Sequence, residues 1–299
     1  MEKKKKTVRL NGLFFKFLIP IILTTSVVCF FKFSCKYWNG EDKFTFAYRL
    51  ENGDAAVSIL DPKLSELTTL VVPGDTMVEV ARNYGELRIK NVWQLGVNEK
   101  IAGNLLAGTI TQNFLFPVFL WSDSDVKSLT EGSLPGVLRF IFFPKSTNIR
   151  FGDRVQSGIF ALKINNTGKN LIDLGKNQFL SEQKLNDGQP GYILSGTISP
   201  RLTVYFADNN FADKNLRVAV ADATGEIGVA EKVGQIIEIM GGKIVSVDKK
   251  GASNTDCIVF GSNTKAVKII SNIFSCKITS EKGTFDLEID LGSAFAKRF

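Results

Sequence analysis

From residue 43 onward, apolar positions occur in short runs that turn-forming residues separate. Runs rich in Val, Ile, Thr and Phe, many of them ended by Asn, Gly, Asp or Pro, predict successive strands. These strands are predicted at 44–49, 55–60, 67–72, 116–121 and 170–174. Helical spacing of apolar residues predicts helices at 78–84, 100–115 and 153–165. The polar composition of 175–191 predicts a loop.

A shorter second half begins after the polar sequence 208–210, which predicts a linker. Its strands are predicted at 216–221, 243–247, 257–260 and 285–291, and its helices at 226–240 and 263–274. In the first of these helices, apolar residues recur every three or four positions, and Gly241-Gly242 ends the pattern. The order β-α-β-β-α-β predicts an α/β module whose helices pack on a mixed sheet.

The N-terminal residues have a different pattern, in which a basic run at 3–9 precedes a mostly apolar run at 13–33. About 20 apolar residues are enough to cross a bilayer as a helix, and Tyr37 and Trp38 follow where an aromatic belt would lie. We therefore predict a cytoplasmic basic tail and a transmembrane anchor over residues 1–38. The rest of this single-pass cell-membrane protein is then extracytoplasmic. A cleaved signal peptide is the alternative.

The net charge of +7 comes from the N-terminus alone. Residues 1–36 hold 8 of the 37 Lys and Arg residues and 1 of the 30 acidic residues, so the later residues carry 29 of each. A neutral remainder offers no basic face for nucleic acid. The chain also has no histidine, which excludes Ser-His-Asp and Cys-His catalysis and every histidine metal site.

A strand, a glycine-containing turn and a helix at 218–230 carry a family motif. In the LytR C-terminal domain this turn has the sequence N-G-T-G-x-x-G-x-A. The matching positions here are Thr224, Gly225, Gly228 and Ala230. Asp222-Ala223 replaces Asn-Gly. With the glycine-ended helix before 243–247 and the L-G-S-A-F ending at 291–295, the sequence resembles that family over residues 215–299. The resemblance implies an α/β domain, assigned to 213–299.

Two segments of the first half, 54–62 and 72–80, resemble motifs of the LytR-CpsA-Psr catalytic domain. They correspond to its R-S-D-T strand with a trailing D-P and to I-P-R-D-T-x-V-E-I. That family transfers lipid-linked glycopolymers onto the cell wall. Asp54 and Asp75 match the motif aspartates, but the two motif arginines are absent, because Asn52 and Gly74 stand in their places. The resemblance implies a degenerate α/β domain over residues 39–207.

The absence of both arginines changes the predicted function. An arginine grips a pyrophosphate through two hydrogen bonds and balances its charge in the transition state. We therefore predict a membrane-anchored extracytoplasmic cell-envelope protein with a non-catalytic binding or scaffold role at the cell wall. The alternative is a glycopolymer phosphotransferase that uses Asp54 and Asp75 with Mg²⁺ and with arginines recruited from elsewhere, such as Arg49 or Arg82.

The predicted partners follow from these assignments. They are membrane lipid, through residues 13–33, and a cell-wall polymer, a polyprenyl-linked precursor or an envelope protein. Nucleic acid is not among them. No cofactor or metal is predicted apart from the Mg²⁺ of the alternative function.

Cys257 and Cys276 are predicted to form a structural disulfide. Cys257 begins the strand 257–260, and the helix 263–274 must run back along that strand because the connection is short. About 12 helical residues span roughly 18 Å, a little more than the roughly 13 Å of four strand residues. Cys276 therefore returns to the start of the strand, within bridging distance. The alternative is two buried free thiols.

Overall fold

The computed structural model describes residues 34–123, 127–196, 198–281 and 283–299 as a mixed α/β structure with several sheets. The strands are β1 (Phe44–Arg49), β2 (Ala55–Asp61), β3 (Glu66–Val72), β4 (Met77–Val80), β5 (Gly85–Arg88), β6 (Leu120–Ser122), β7 (Lys169–Asp173), β8 (Leu180–Lys184), β9 (Pro190–Leu194), β10 (Arg217–Ala223), β11 (Lys243–Lys249), β12 (Cys257–Phe260), β13 (Lys277–Ile278) and β14 (Leu287–Gly292). The α-helices are α1 (Ile89–Asn98), α2 (Gly103–Phe114), α3 (Lys127–Glu131), α4 (Leu134–Phe142), α5 (Phe151–Lys163), α6 (Pro200–Phe206), α7 (Asn209–Ala212), α8 (Val229–Ile239), α9 (Thr264–Phe274) and α10 (Ser293–Arg298).

The first five-stranded sheet has the order β6-β1-β2-β3-β7. Strand β2 is antiparallel to both β1 and β3, whereas the edge strands β6 and β7 pair in parallel with β1 and β3, respectively. All seven residues of β2 are buried, because helices cover both faces of the sheet. Val57 and Ile59 pack with α1 and α2, while Ala56 and Leu60 pack on the opposite face with α4 and α5.

The second five-stranded sheet has the order β11-β10-β14-β12-β13. Its two longer helices, α8 and α9, cover one face, where Val233 and Ile270 join a single apolar core. Burial alternates along β14 as expected for a sheet with helices on one face: Leu287 and Ile289 are buried, whereas Glu288 between them is partly exposed. The predicted strand and helix order of this half is therefore present, with the short strand β13 and the helix α10 added.

A β-hairpin occupies the segment 78–84, where a helix was predicted. In β4 the residues on either side of the exposed Glu79 are buried, so the apolar positions have the strand period of two. Arg82, Asn83 and Gly85 have positive φ angles of 68°, 58° and 81°, which closes the tight turn between β4 and β5. The helix prediction was wrong because the apolar run in 78–84 is too short for its sequence to distinguish the strand period of two from the helical period of 3.6.

The segment 175–191, predicted as a loop, contains the strand β8 and begins β9, which pair as an antiparallel hairpin. Glu182 and the two residues after it are exposed, so the sequence of this strand has no apolar alternation that would reveal it.

The linker predicted at 208–210 is partly helical. Helix α7 begins at Asn209, and the Asp208 carboxylate accepts a hydrogen bond of 2.7 Å from the main-chain N–H of Asn210. This N-cap explains why a cluster of Asp and Asn residues starts a helical turn here. The division into domains at 39–207 and 213–299 stays a prediction.

For the residues that the structure describes, the predicted location as a single-pass cell-membrane protein is wrong. Within the four described ranges, no helix is both long and apolar enough to cross a bilayer. The longest of these helices, α5, has 13 residues, which at about 1.5 Å per residue falls well short of the roughly 30 Å hydrocarbon core. The predicted span itself, 13–33, lies outside the described residues.

The predicted pairing of Cys257 with Cys276 is present in the structure as a disulfide, with the two Cα atoms 4.7 Å apart. Helix α9 runs back to the start of β12, and the chain then forms β13, which pairs in parallel with β12. Both cysteines are buried in the core of the second sheet. The bridge therefore fastens the C-terminal end of α9 to the sheet on which the helix packs.

Candidate functional site

Four segments meet around the two motif aspartates of the first half. They are the β1–β2 turn, the loop after β3, the start of α1 and the turn of the β8–β9 hairpin. Five charged residues from these segments form what we call the aspartate cluster: Asp54, Asp75, Arg88, Lys90 and Asp187. The main-chain N–H of Lys90 donates to the carbonyl of Gly74, and that of Tyr192 donates to the carbonyl of Asp75, so the backbone also fixes this meeting point.

The carboxylate of Asp54 joins two turns. Its Oδ1 accepts a hydrogen bond of 2.7 Å from the N–H of Gly74, and its Oδ2 accepts one of 2.7 Å from Nδ2 of Asn52. A side chain at Gly74 would place its Cβ 2.8 Å from the carbonyl oxygen of Gly53, so the close approach of the two turns requires glycine. Both oxygens of Asp54 therefore accept hydrogen bonds within the protein, and the bond to Gly74 joins the two turns.

The carboxylate of Asp75 is bound by two cations. Its Oδ1 lies 2.7 Å from Nζ of Lys90 and 2.6 Å from Nη1 of Arg88. The hydrogen bond from Lys90, and after it the one from Arg88, holds the pKa of Asp75 below its usual value. Asp75 is thus an ionised partner of two basic groups, each of which stabilises its charged form.

The guanidinium of Arg88 is nearly saturated by contacts within the protein. It binds Asp187 through Nε at 2.9 Å and through Nη2 at 3.0 Å, and Nη1 also donates to the carbonyl of Pro190 at 3.0 Å. With Asp75, these bonds occupy four of the five N–H groups that an arginine carries. The side chain is only 10% exposed. Arg88 was not among the residues that the sequence analysis selected.

Arg49 and Asp54 line one small cavity of about 260 Å³ beside the aspartate cluster. Lys90, which also lines it, connects the cavity to Asp75. The Arg49 guanidinium lies 5.3 Å from the centre of the Trp93 ring, a cation–π contact that holds the arginine at the cavity wall. Three of the four predicted site residues, Arg49, Asp54 and Asp75, therefore lie in one neighbourhood.

Arg82, the fourth predicted site residue, is elsewhere. It lies at the tip of the β4–β5 hairpin and lines a different cavity, together with Arg298 and Phe299. Arg82 lies away from the aspartates because the segment 78–84 forms a hairpin and not the predicted helix, which places residue 82 in an exposed turn.

The residues present do not fit the Mg²⁺ that the alternative function requires. Across the described ranges, no group of three or more acidic, cysteine or histidine side chains could hold a metal ion. The oxygens of Asp54 already accept hydrogen bonds, and Asp75 is paired with Arg88 and Lys90, which a cation would have to displace.

The pairing of Asp75 leads to a testable pH dependence. We expect the pKa of Asp75 to rise toward its usual value when Lys90→Ala removes its first cation, as followed by an NMR titration of the side-chain carboxyl. The pKa of Asp75 is lower in the folded protein than in the unfolded chain. The ion pairs therefore stabilise the fold fully at pH values above the pKa of the unfolded chain, and this stabilisation is lost as the pH falls through the pKa of the folded protein. The matched control is Lys100→Ala, just beyond the other end of α1. An unchanged Asp75 titration in Lys90→Ala would disprove the pairing.

The chain is similar to several solved structures, at low sequence identity. No protein-family model and no curated protein matches it. Similar solved structures include three from Bacillus subtilis. TagT is 11% identical, with 54% of this chain and 87% of that chain covered and a TM-score of 0.37. TagV is 11% identical, with 53% and 92% covered and a TM-score of 0.36. TagU is 9% identical, with 52% and 91% covered and a TM-score of 0.30. These three are LytR-CpsA-Psr family proteins, but similarity at this level does not assign the chain to that family.

Proposed function

We propose that this chain is a binding protein of the bacterial cell envelope that holds an anionic glycopolymer, or its lipid-linked precursor, without transferring it. The observation that carries the proposal is the state of the two motif aspartates. The two carboxylate oxygens of Asp54 accept hydrogen bonds from Gly74 and Asn52, and the carboxylate of Asp75 forms ion pairs with Arg88 and Lys90.

Phosphoryl transfer needs cationic groups that face the transferring phosphate and a carboxylate that is free to act on it. In the aspartate cluster, the groups that would take these roles already have partners within the protein: Arg88 makes four hydrogen bonds, and Oδ1 of Asp75 binds Arg88 and Lys90. To bind a phosphate, Arg88 would have to release the exposed Asp187 or the half-buried Asp75, and either release costs an ion pair that the protein already makes. This cost argues against turnover at the cluster and is compatible with binding beside it.

The small cavity next to the cluster offers the features that a charged sugar polymer needs. Arg49 supplies one cation for a phosphate or carboxylate group, and Lys90, whose ammonium group has three N–H donors and gives one to Asp75, supplies a second. Glu51 and the main chain of the β1–β2 turn supply acceptors for hydroxyl groups. Its volume of about 260 Å³ is near the lower limit of small-molecule sites. It suits one unit of a polymer rather than a whole lipid-linked molecule.

A second candidate function, glycopolymer phosphotransferase, is favoured by one observation. Arg88 brings a guanidinium to 2.6 Å from Asp75, which restores in space an arginine that the motif lacks in sequence. The four internal hydrogen bonds of that guanidinium are the reason for which we rank this function second.

The binding proposal predicts that the cavity cations matter. In the full chain, the double variant Arg49→Ala/Lys90→Ala should bind a purified phosphate-bearing wall glycopolymer about tenfold more weakly in a calorimetric titration, because two charge-assisted contacts are lost. The control, Arg82→Ala/Lys100→Ala, removes the same two charges outside the cavity and should bind normally. Equal affinity of the two double variants would contradict the proposal.

A further inference from the structure

A second cavity, far larger than the one beside the aspartate cluster, lies between α5, α9 and the segment 35–42. Its volume is about 740 Å³, within the range of sites that bury a small-molecule ligand. Its lining residues differ entirely from those of the cavity beside Asp54. The two cavities are therefore separate candidate sites.

The wall of this large cavity is mostly apolar. Its apolar lining residues are Tyr37, Trp38, Val155, Ile159 and Ile269. Ile159 is 47% exposed, although a helix that packs on a sheet normally buries its large aliphatic side chains. Exposed aliphatic surface inside a concave site gains free energy when a hydrocarbon chain covers it.

The same cavity is bordered by three lysines. Lys265 and Lys268 are exposed and lie three residues apart on α9, so they share one face of the helix, and Lys36 adds a third ammonium group. The acidic residue in the lining, Asp42, accepts hydrogen bonds from Asn39 at 2.8 Å and from Asn210 at 3.1 Å. The border is therefore positively charged above an apolar wall.

Internal bonds hold this cavity in shape. The main-chain N–H groups of Lys36, Tyr37 and Trp38 all donate to the buried carboxylate of Asp153, at 3.0 to 3.2 Å from its Oδ1. A Cβ at Gly152 would lie 2.6 Å from the main chain of Cys35, so the segment lies directly on α5. A preformed site loses less free energy in ordering when a ligand binds.

We propose that this cavity binds a single-chain anionic amphiphile, with its hydrocarbon chain along Val155, Ile159 and Ile269 and its carboxylate or phosphate head group at Lys265 and Lys268. The combination of an apolar wall and a cationic border recognises both halves of such a molecule. This inference does not rest on the proposed function, because the site shares no residue with the aspartate cluster.

The test is a calorimetric titration of the full chain with decanoate, decyl phosphate and the uncharged decyl glucoside, each below its micelle concentration. We expect saturable one-to-one binding of at least one of the two anions and at least about tenfold weaker binding of the glucoside. Lys265→Glu/Lys268→Glu should weaken the binding of the anion about tenfold or more through charge reversal. The control, Lys184→Glu/Lys243→Glu, makes the same change of net charge on exposed strands elsewhere.

A second variant tests the apolar wall. Ile159→Asp places a charge on an already exposed position, so the fold should tolerate it, and it should weaken both anions. Preference for decanoate or for decyl phosphate identifies the head group, and either supports the site. No binding of either anion, equal binding of the glucoside, or equal loss in both lysine variants would overturn the proposal. Arg49→Ala/Lys90→Ala should bind the amphiphile normally, which separates failure here from failure of the glycopolymer site.

Discussion

Asp153→Ala is expected to destabilise the fold by about 3 kcal/mol. The carboxylate is fully buried and accepts from the N–H groups of Lys36, Tyr37 and Trp38, and a buried donor left without an acceptor costs about 1–3 kcal/mol. The loss also frees the segment that holds Trp38 against Phe44 and Phe160, at ring distances of 5.1 and 5.6 Å. The measurement is the free energy of unfolding in urea.

Limited digestion with trypsin checks the local origin of this effect. Release of the segment should make the bond after Lys36 cleavable in Asp153→Ala before the rest of the chain unfolds. The control is Asp248→Ala, which removes an exposed carboxylate on β11 and should change stability by less than about 0.5 kcal/mol. Equal stability of the two variants, with equal resistance at Lys36, would show that Asp153 does not hold the segment.

Removal of the disulfide is the second change with a large expected effect. The bridge closes a loop with a sequence separation of 19 residues, and a loop of this size restricts the unfolded chain by about 3 kcal/mol. Cys257→Ala/Cys276→Ala should lower the free energy of unfolding by roughly this amount. Loosening should be greatest at the end of α9, where Phe274 packs on Phe295 at a ring distance of 6.1 Å.

A reductant supplies the control for the disulfide. It should destabilise the unmodified chain to the level of the double variant and should leave the double variant itself unchanged. If the reductant lowered the stability of both proteins equally, or of neither, the contribution assigned to Cys257–Cys276 would be wrong.

Both sheets could be predicted in outline because their central strands are buried. Strands such as β2 and β10 are mostly apolar runs between turn residues, and helix α9 has a regular apolar stripe and a capping Asn263. The hairpins β4–β5 and β8–β9 were missed for the opposite reason. Their strands are short or exposed, so their sequences carry little periodicity, and pairing across the hairpin creates the structure.

The site was predictable only in part. Asp54 and Asp75 were selected from their motifs and lie close to one another, but the motifs do not indicate what binds them. Arg88 reaches Asp75 because the β4–β5 hairpin returns the chain to the loop after β3, and Asp187 reaches Arg88 from a hairpin that is about 100 residues away in sequence. The sequence does contain an arginine 13 residues after Asp75. Its contact with Asp75 could be predicted only if the β4–β5 hairpin were also predicted.

The proposal that this chain binds without transferring is tested most directly by turnover and binding measured on the same sample. The full chain would be incubated with Mg²⁺ and a polyprenyl-pyrophosphate-linked glycan, in the presence of an acceptor wall polymer. We predict saturable binding of the glycan, no release of the polyprenyl product above a blank without protein, and no effect of Asp75→Ala on that baseline. Mg²⁺-dependent product release that Asp75→Ala abolishes would contradict the account and establish the phosphotransferase.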